Sequence, residues 1–198
     1  MQAQLSASNL ACRRGDRLLF KGLSFELGSG EALHLTGANG TGKTTLIRTL
    51  ARLTSPFAGE VMVEGEIGLL DERTALDPEL PLGKALSFWQ RVDGCTDPSK
   101  ALSVLGLEPL LDVPVRYLST GQRKRAGLAA LLNRGVPIWL LDEPLSGLDV
   151  AAIKQVTALI ALHVGGGGTA LIASHQPLAI EGLRALAIED FAAREDAL

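Results

Sequence analysis

The chain has 198 residues and a formal net charge of −3, and 46% of its residues are apolar while only 4% are aromatic. This length fits one compact domain with an aliphatic core, and the acidic balance gives no support for a nucleic-acid surface. Two widely separated cysteines, Cys12 and Cys95, argue against a disulfide framework, and no apolar run reaches the roughly 18 residues of a membrane span.

The first part of the chain alternates between apolar and polar residues, which is typical of half-buried strands. The segments Leu5 to Arg13, Leu18 to Phe20 and Leu23 to Leu27 therefore predict an antiparallel β layer. A short apolar run from Ala32 to Thr36 then predicts a buried strand.

A glycine-rich loop follows that strand and opens a predicted helix from Lys43 to Leu53. It has the pattern G-x-x-x-x-G-K-[ST], formed by Gly37, Ala38, Asn39, Gly40, Thr41, Gly42, Lys43, Thr44 and Thr45. Glycines let backbone N–H groups converge on phosphate oxygens, and the new helix adds its positive end. Lys43 is predicted to reach the β- and γ-phosphates, and the Thr44 hydroxyl to ligate Mg²⁺. The motif predicts binding of a nucleoside triphosphate with Mg²⁺.

Two further strands are predicted at Gly59 to Glu64 and Ile67 to Leu70, and after them the pattern changes. The segments Leu82 to Val92 and Ser99 to Leu105 have helical spacing and are punctuated by prolines. The stretch from about residue 75 to residue 133 is therefore predicted to be a helical subdomain.

From Pro137 the chain returns to alternating strands and helices. The remaining predicted elements are a strand at Ile138 to Leu141, an amphipathic helix at Val150 to Val164, a buried strand at Thr169 to Ala173 and a last strand at Leu183 to Ile188. Continuous apolar runs are typical of parallel strands covered on both faces. The predicted fold class is α/β: a P-loop NTPase core with a mainly parallel sheet, an N-terminal antiparallel β layer and an inserted α-helical subdomain.

Two adjacent carboxylates, Asp142 and Glu143, follow the strand that begins at Ile138. The end of such a strand lies at the crevice where ligands of α/β sheets bind. Asp142 is predicted to hold Mg²⁺, directly or through water, together with Thr44. Glu143 is predicted to polarise the water that attacks the γ-phosphorus, as a general base or as an orienting group.

A third motif, Leu-Ser-Thr-Gly-Gln, occupies residues 118 to 122. Ser119 and Gln122 have the spacing of a capping box before a helix from Arg123 to Asn133, and a capped helix start is also an anion site. With this motif the sequence resembles the ATP-binding cassette (ABC) family, whose signature is Leu-Ser-Gly-Gly-Gln. Ser119, Gly121 and Gln122 match that signature, whereas Thr120 replaces its first glycine.

The resemblance continues in chain order. Ser146, Gly147, Leu148 and Asp149 resemble the D-loop of the family. His175, at the tip of a predicted strand, is similar to the switch histidine that contacts the γ-phosphate. His34 and His163 have no such setting and are interpreted as structural or exposed.

The sequence departs from the family pattern at two places. The family normally has a glutamine at the end of the strand before the helical lobe, and here Glu72 or Arg73 occupies that position. The family also usually stacks an aromatic side chain on adenine. Arg14 is the candidate replacement, because a guanidinium plane can stack on a base; a solvated surface arginine is the alternative.

The resemblance implies an ATPase that acts as a dimer. Two copies would enclose two ATP molecules, with residues 119 to 122 of one copy contacting the ATP held by the other. It further implies docking on separate integral membrane permease subunits at the cytoplasmic face of the bacterial inner membrane.

Among single cassettes the sequence most resembles the ATP-binding subunits of bacterial haem exporters of cytochrome c maturation. The compact length, Arg14 and the stretch from Ser174 to Leu178 support this grouping. Direct haem binding is not expected, since the sequence has no C-x-x-C-H motif. Two alternatives remain open: an ABC ATPase subunit for another exported cargo, and a soluble ABC ATPase that acts as an assembly factor.

Overall fold

The computed structural model describes residues 3–94 and 99–193, so that Cys95 lies outside the described residues. The strands in these ranges are β1 (Gln4–Arg14), β2 (Arg17–Leu27), β3 (Ala32–Thr36), β4 (Ala58–Glu64), β5 (Ile67–Leu70), β6 (Ile138–Asp142), β7 (Thr169–Ala173) and β8 (Arg184–Ala187). The α-helices are α1 (Lys43–Leu50), α2 (Leu82–Asp93), α3 (Ser99–Val104), α4 (Thr120–Arg134) and α5 (Val150–Gly165).

The first sheet is antiparallel and has the strand order β2-β1-β4. Leu5 of β1 pairs with Leu27 of β2 on one side and with Val63 of β4 on the other. The predicted antiparallel layer is therefore present, and it gains β4, which follows the glycine-rich loop in sequence. Apolar alternation had identified β4 as a strand but not the sheet to which it belongs.

The second sheet has the strand order β5-β6-β7-β3-β8, and each neighbouring pair in it is parallel. Every residue of β6 and β7 is buried, as expected for central parallel strands covered on both faces. Because parallel strands point the same way, the carboxyl ends of β5, β6, β7 and β3 lie side by side at one edge. The segments that follow β3, β6 and β7 carry the glycine-rich loop, the two carboxylates and His175, whereas Arg14 ends β1 and Ser119 precedes α4.

The two faces of the parallel sheet pack against different layers. Ile138 and Leu140 of β6 belong to a buried cluster that includes residues of α1 and of the antiparallel sheet. Trp139 and Leu141 belong to a second cluster with α4 and α5. Successive strand side chains point to opposite faces, so a single five-residue strand joins both cores.

Helix α1 ends three residues before the predicted boundary, and the prediction of a helix to Leu53 was wrong at that end. Arg52 has a left-handed φ of 59°, and Leu53 N–H donates to the carbonyl of Arg48 over 2.9 Å. This closing turn satisfies carbonyls at the helix end. Leu53 continues the apolar spacing but is 60% exposed. Within the described ranges, no helix is both long and apolar enough to cross a bilayer.

His163, near the end of α5, stacks on the Trp139 ring with centroids 3.9 Å apart and an angle of 7° between the planes. Its Nε2 lies 3.4 Å from the carbonyl oxygen of Thr169. Burial lowers the pKa of His163, and backbone hydrogen bonds to Thr169 and Pro137 oppose that effect in part. The interpretation of His163 as structural agrees with this packing.

The lowered pKa of His163 predicts acid sensitivity of the fold. Below the ordinary pKa of 6.5, His163 binds a proton more readily in the unfolded chain than in the folded chain. The free energy of unfolding therefore falls as the pH falls. From about pH 7.5 to about pH 5.5, the native chain should lose up to about 1 kcal/mol more stability than His163→Gln. Urea unfolding at several pH values measures this difference, and parallel curves for the two proteins would contradict the prediction.

Candidate nucleotide-binding site

The glycine-rich loop between β3 and α1 is held against two other parts of the chain. Gly37, Gly40 and Gly42 have φ values of 143°, 81° and 113°, in the region that favours glycine. A Cβ atom on Gly42 would lie 3.1 Å from the Phe20 ring, and one on Gly37 would lie 2.7 Å from Ile188 Cγ2. The loop can pack this closely against Phe20 and Ile188 because Gly42 and Gly37 have no side chain.

The first turn of α1 is open to an anion. Gly42 is its N-cap, no side chain caps the helix, and no acidic residue occupies the first turn. The first N–H groups and the positive end of the helix dipole therefore face the adjoining cleft of about 200 Å³. Its lining includes Arg14, Asn39, Lys43, Thr44, Asp142 and Glu143. The fold thus brings the predicted phosphate, metal and base-stacking residues to one cleft, with Arg14 at its exposed side.

The Lys43 ammonium lies inside the loop. The residue is only 7% exposed, and Nζ donates to the carbonyl oxygens of Gly37 and Ala38 over 2.7 Å and 3.1 Å. The Thr41 hydroxyl also donates to the Ala38 carbonyl, over 2.9 Å. These contacts fix the charge of Lys43 beside the N–H groups of the same loop.

His175 follows β7 and connects the loop with the carboxylates. Its Nε2 lies 2.6 Å from Asn39 Oδ1 and 3.3 Å from Lys43 Nζ, and 3.5 Å from Glu143 Oε1. The short distance to the Asn39 oxygen requires His175 Nε2–H to donate there, so Lys43 cannot donate to the same nitrogen in that tautomer. His34, in contrast, contacts the Ser174 carbonyl over 2.9 Å within the sheet.

Asp142 and Glu143 lie at the end of β6 in different surroundings. Asp142 is 3% exposed. Burial raises its pKa, while a hydrogen bond from Thr44 and the charge of Lys124 act in the opposite direction. Glu143 has a left-handed φ of 48°, an unusual conformation for a residue with a side chain and one that is concentrated at functional sites. Its N–H donates to the Ala173 carbonyl over 2.8 Å, which holds that conformation.

One carboxylate oxygen of Glu143 is available to a small polar ligand. Oε1 is buried and has no hydrogen-bond partner among the described residues, although it lies 3.5 Å from the His175 ring. A buried polar atom without a partner is costly unless water or a ligand satisfies it. This oxygen therefore has the properties required of a group that binds and orients a water molecule.

Asp142 and Thr44 have the donor chemistry that Mg²⁺ requires. The Asp142 carboxylate and the Thr44 hydroxyl, which line the same cleft, supply two hard oxygen ligands. Mg²⁺ is usually held by one or two protein oxygens, substrate phosphates and water. In residues 3–94 and 99–193, no group of three or more His, Cys, Asp or Glu side chains is arranged to hold a metal.

The predicted capping box at the start of α4 is present. The Ser119 hydroxyl accepts from Gln122 N–H over 3.2 Å, and Gln122 Oε1 accepts from Ser119 N–H over 2.8 Å. The helix begins at Thr120 rather than at Arg123, because the box itself forms its first turn. The cleft that contains Lys43 is not lined by Ser119, Gly121 or Gln122.

The signature segment contacts the predicted D-loop of the same chain. A Cβ atom on Gly121 would lie 2.4 Å from the Gly147 carbonyl oxygen and 3.2 Å from Leu148 Cδ2, so glycine is required for this approach. Ser146 and Thr120 share the lining of a second cleft, of about 370 Å³, with Glu143 and His175. Asp149 caps α5 by accepting from Ala152 N–H over 2.8 Å.

Two residues at the site were not found from the sequence. Glu189, in a 3-10 helix at Ile188–Phe191, accepts from Ala38 N–H through Oε1 over 2.6 Å. It belongs to no motif, and no sequence signal marks it. Lys124 lies in the longest basic run but is buried; it shares the buried side of α4 with Gly121, Leu128 and Leu131, and this helical spacing was the available signal.

The comparisons with known proteins agree with this geometry. The sequence pattern of the ABC transporter family matches residues 20–146. The chain belongs to the ABC transporter family. One relative, the cytochrome c biogenesis ATP-binding export protein CcmA of Novosphingobium aromaticivorans, is 56% identical over 94% of this chain and 96% of its own length. The CcmA protein of Zymomonas mobilis is 47% identical over 96% of this chain and 87% of its own length.

Solved structures show the same fold. An ABC transporter ATP-binding protein from Pyrococcus furiosus has a TM-score of 0.81 and 22% identity, over 96% of this chain and all of that chain. The ATP-binding cassette MJ0796, a dimer in a post-hydrolysis state with ADP and Pi, has a TM-score of 0.77 and 21% identity, over 87% of this chain and 88% of that chain. The predicted family, the α/β P-loop fold class and the ATPase class of enzyme are confirmed.

The contact between Glu189 and the loop predicts a role in nucleotide affinity. Glu189→Ala removes the acceptor for Ala38 N–H and frees the start of the loop, so the affinity for ATP should fall about threefold to tenfold, equivalent to about 1 kcal/mol. Glu189→Gln keeps an acceptor oxygen and should stay close to the native affinity. A titration with a fluorescent ATP analogue measures both variants.

Asp190→Ala is the matched control, because Asp190 is an exposed neighbour in the same 3-10 helix. Lys43→Ala, which should abolish binding, sets the lower limit of the titration. Equal affinities for Glu189→Ala and Asp190→Ala would contradict a role for the Glu189 contact.

Proposed function

We propose that this chain is the ATP-hydrolysing subunit of an ABC transporter that powers haem export for cytochrome c biogenesis. The observation that carries the proposal is the 56% identity to a CcmA protein over nearly the full length of both chains. The site supports it, since the loop, both carboxylates and His175 converge at the edge where four parallel strands end. The haem is cargo of the membrane subunits, and no direct haem binding by this chain is proposed.

Triphosphate binding in this proposal uses residues 37–45. Backbone N–H groups of the loop and of the N-terminus of α1 donate to the phosphate oxygens, and Lys43 exchanges its loop carbonyls for the β- and γ-phosphates. Thr44 and Asp142 would hold Mg²⁺, and the bound ion would supply positive charge that offsets the phosphates. Arg14, at the exposed side of the same cleft, covers the adenine ring.

Hydrolysis in this proposal is a displacement at the γ-phosphorus. Glu143 Oε1 accepts a hydrogen bond from water and directs the water oxygen toward the phosphorus. The bond between the γ-phosphorus and the bridging oxygen breaks, ADP leaves, and the water proton passes through Glu143 to phosphate or solvent. His175 Nε2 lies 3.5 Å from Glu143 Oε1 and 3.3 Å from Lys43 Nζ. From this position His175 contacts the γ-phosphate.

A second copy of the chain completes the site. In the capping box the Ser119 oxygen accepts from Gln122 N–H, so its hydroxyl hydrogen remains free to donate to a γ-phosphate held by the partner. Residues 75–133 form the helical subdomain that presents this turn. ATP then joins the two copies, and loss of the γ-phosphate removes the contact.

The membrane subunits in this proposal are separate polypeptides, and this chain docks on them at the cytoplasmic face of the inner membrane. A tagged chain expressed in a bacterium that makes c-type cytochromes should co-purify from detergent extracts with small multi-span proteins. Its deletion should abolish holo-cytochrome c while leaving apo-cytochrome levels intact. Recovery only from the soluble fraction, with normal holo-cytochrome c in the deletion strain, would contradict the proposal and favour a soluble assembly factor.

The proposed role of Glu143 predicts a trapped state. Glu143→Gln keeps the size of the side chain but removes the charge that orients water, so ATP turnover should fall by about a hundredfold or more while binding persists. The variant should therefore accumulate an ATP-bound dimer, which light scattering after gel filtration detects. Unchanged turnover, or a monomer saturated with ATP, would contradict the assignment.

A further inference from the structure

Lys124 connects the ends of two strands of the parallel sheet to α4, the helix that begins at the Ser119 capping box. It lies on α4, five positions after Ser119, and is only 5% exposed. Its Nζ donates to the carbonyl oxygen of Asp142 over 3.0 Å and is 3.4 Å from the carbonyl oxygen of Asp71. One ammonium group therefore holds the carboxyl ends of β6 and β5 together and fixes both to α4.

The surroundings of Lys124 are strongly acidic. Burial lowers the pKa of its ammonium, and attraction to Asp142, Glu72, Asp71 and Glu143 opposes that effect. A buried charge is tolerated when it is paired and hydrogen-bonded, and the removal of one partner leaves the others uncompensated. Arg48 approaches Asp71 more loosely, with 3.7 Å between Nη2 and Oδ2, so Lys124 is the buried cation of this group in the described residues.

Glu72 is one of the carboxylates that the positive charge of Lys124 offsets. Of Glu72 and Arg73, the two candidates for the position of the family's glutamine, Glu72 lines both the cleft of the glycine-rich loop and the adjoining larger cleft. A carboxylate at this position adds negative charge where the triphosphate and the attacking water must come together, and this is unfavourable in a partly buried site. Lys124 lines the larger cleft together with Glu72, and its ammonium attracts the Glu72 carboxylate.

We propose that Lys124 is a positioning residue for ATP hydrolysis, which offsets the charge of Glu72 and holds the Asp142–Glu143 segment in place. The proposal rests on the function assigned above to Glu143. Because Glu143 directly follows the carbonyl that Lys124 binds, a shift of α4 moves the water-orienting carboxylate through one hydrogen bond. Contact of Ser119 with the ATP of a partner copy is thereby coupled to the placement of Glu143 in its own chain.

The test uses the chain purified together with its membrane subunits. Lys124→Gln keeps a donor but removes the charge, and we expect kcat to fall about tenfold or more while the affinity for a fluorescent ATP analogue changes less than about threefold. Lys124→Arg, which keeps the charge, should retain more activity than Lys124→Gln. Lys154→Gln on α5, an exposed lysine outside the site, is the matched control and should behave as the native protein does.

The decisive measurement is a double-mutant cycle with Glu72. If Lys124 offsets this carboxylate, Glu72→Gln in the Lys124→Gln background removes the uncompensated charge and should restore kcat at least about threefold. A purely structural role of Lys124 gives additive losses and no such recovery. Additive losses, or a Lys124→Gln enzyme with native kcat, would overturn the proposal.

Three further outcomes would each reject the proposal about Lys124. If neither Lys124→Gln nor Lys124→Arg folds, as judged by circular dichroism and thermal unfolding, the residue acts in folding and the proposal is rejected. If Glu143→Gln is inactive while Lys124→Gln is fully active, the inference about Lys124 fails and the ATPase function stands. If the native complex does not hydrolyse ATP, both fail together.

Discussion

Parallel pairing of four neighbouring strands is the constraint on which the rest of the site depends. Since β5, β6, β7 and β3 run in one direction, the segments that follow them meet at one edge of the sheet. Groups from distant parts of the sequence thereby come within a few ångströms, as His175 does with Asn39 and Glu143. Burial of β6 and β7 on both faces fixes this arrangement, because displacing either strand would open both hydrophobic clusters.

The glycine-rich loop depends on support from outside its own motif. Phe20 of the antiparallel sheet lies under Gly42, and Ile188 lies against Gly37, while Glu189 binds the Ala38 N–H group. The last described residues also pair with β2, since Ala193 N–H donates to the Leu19 carbonyl over 3.3 Å. The C-terminal segment thus connects the two sheets at the loop, beyond the residues that the family pattern matches.

Charge balance at the sheet edge is distributed over several elements. Lys43 Nζ donates to a carbonyl of the glycine-rich loop, and Lys124 Nζ donates to the Asp142 carbonyl at the end of β6. Burial raises the pKa of Asp142, because the charged form of a carboxylate is disfavoured where water is excluded. The buried ammonium of Lys124 attracts the carboxylates of Asp142, Glu72, Asp71 and Glu143, which lie in this part of the sheet edge.

The sequence by itself determined the loop, the paired carboxylates, the capping box, the histidine and the order of the elements. These features are local, because turn geometry, helix capping and strand alternation depend on residues a few positions apart. The tertiary structure decided which sheet β4 joins, where α1 ends, and that the charged residue Lys124 is buried. It alone revealed the Lys124–Asp142 contact across 18 positions and the Glu189–Ala38 contact across 151. Such contacts arise from packing of distant segments, and no residue spacing encodes them.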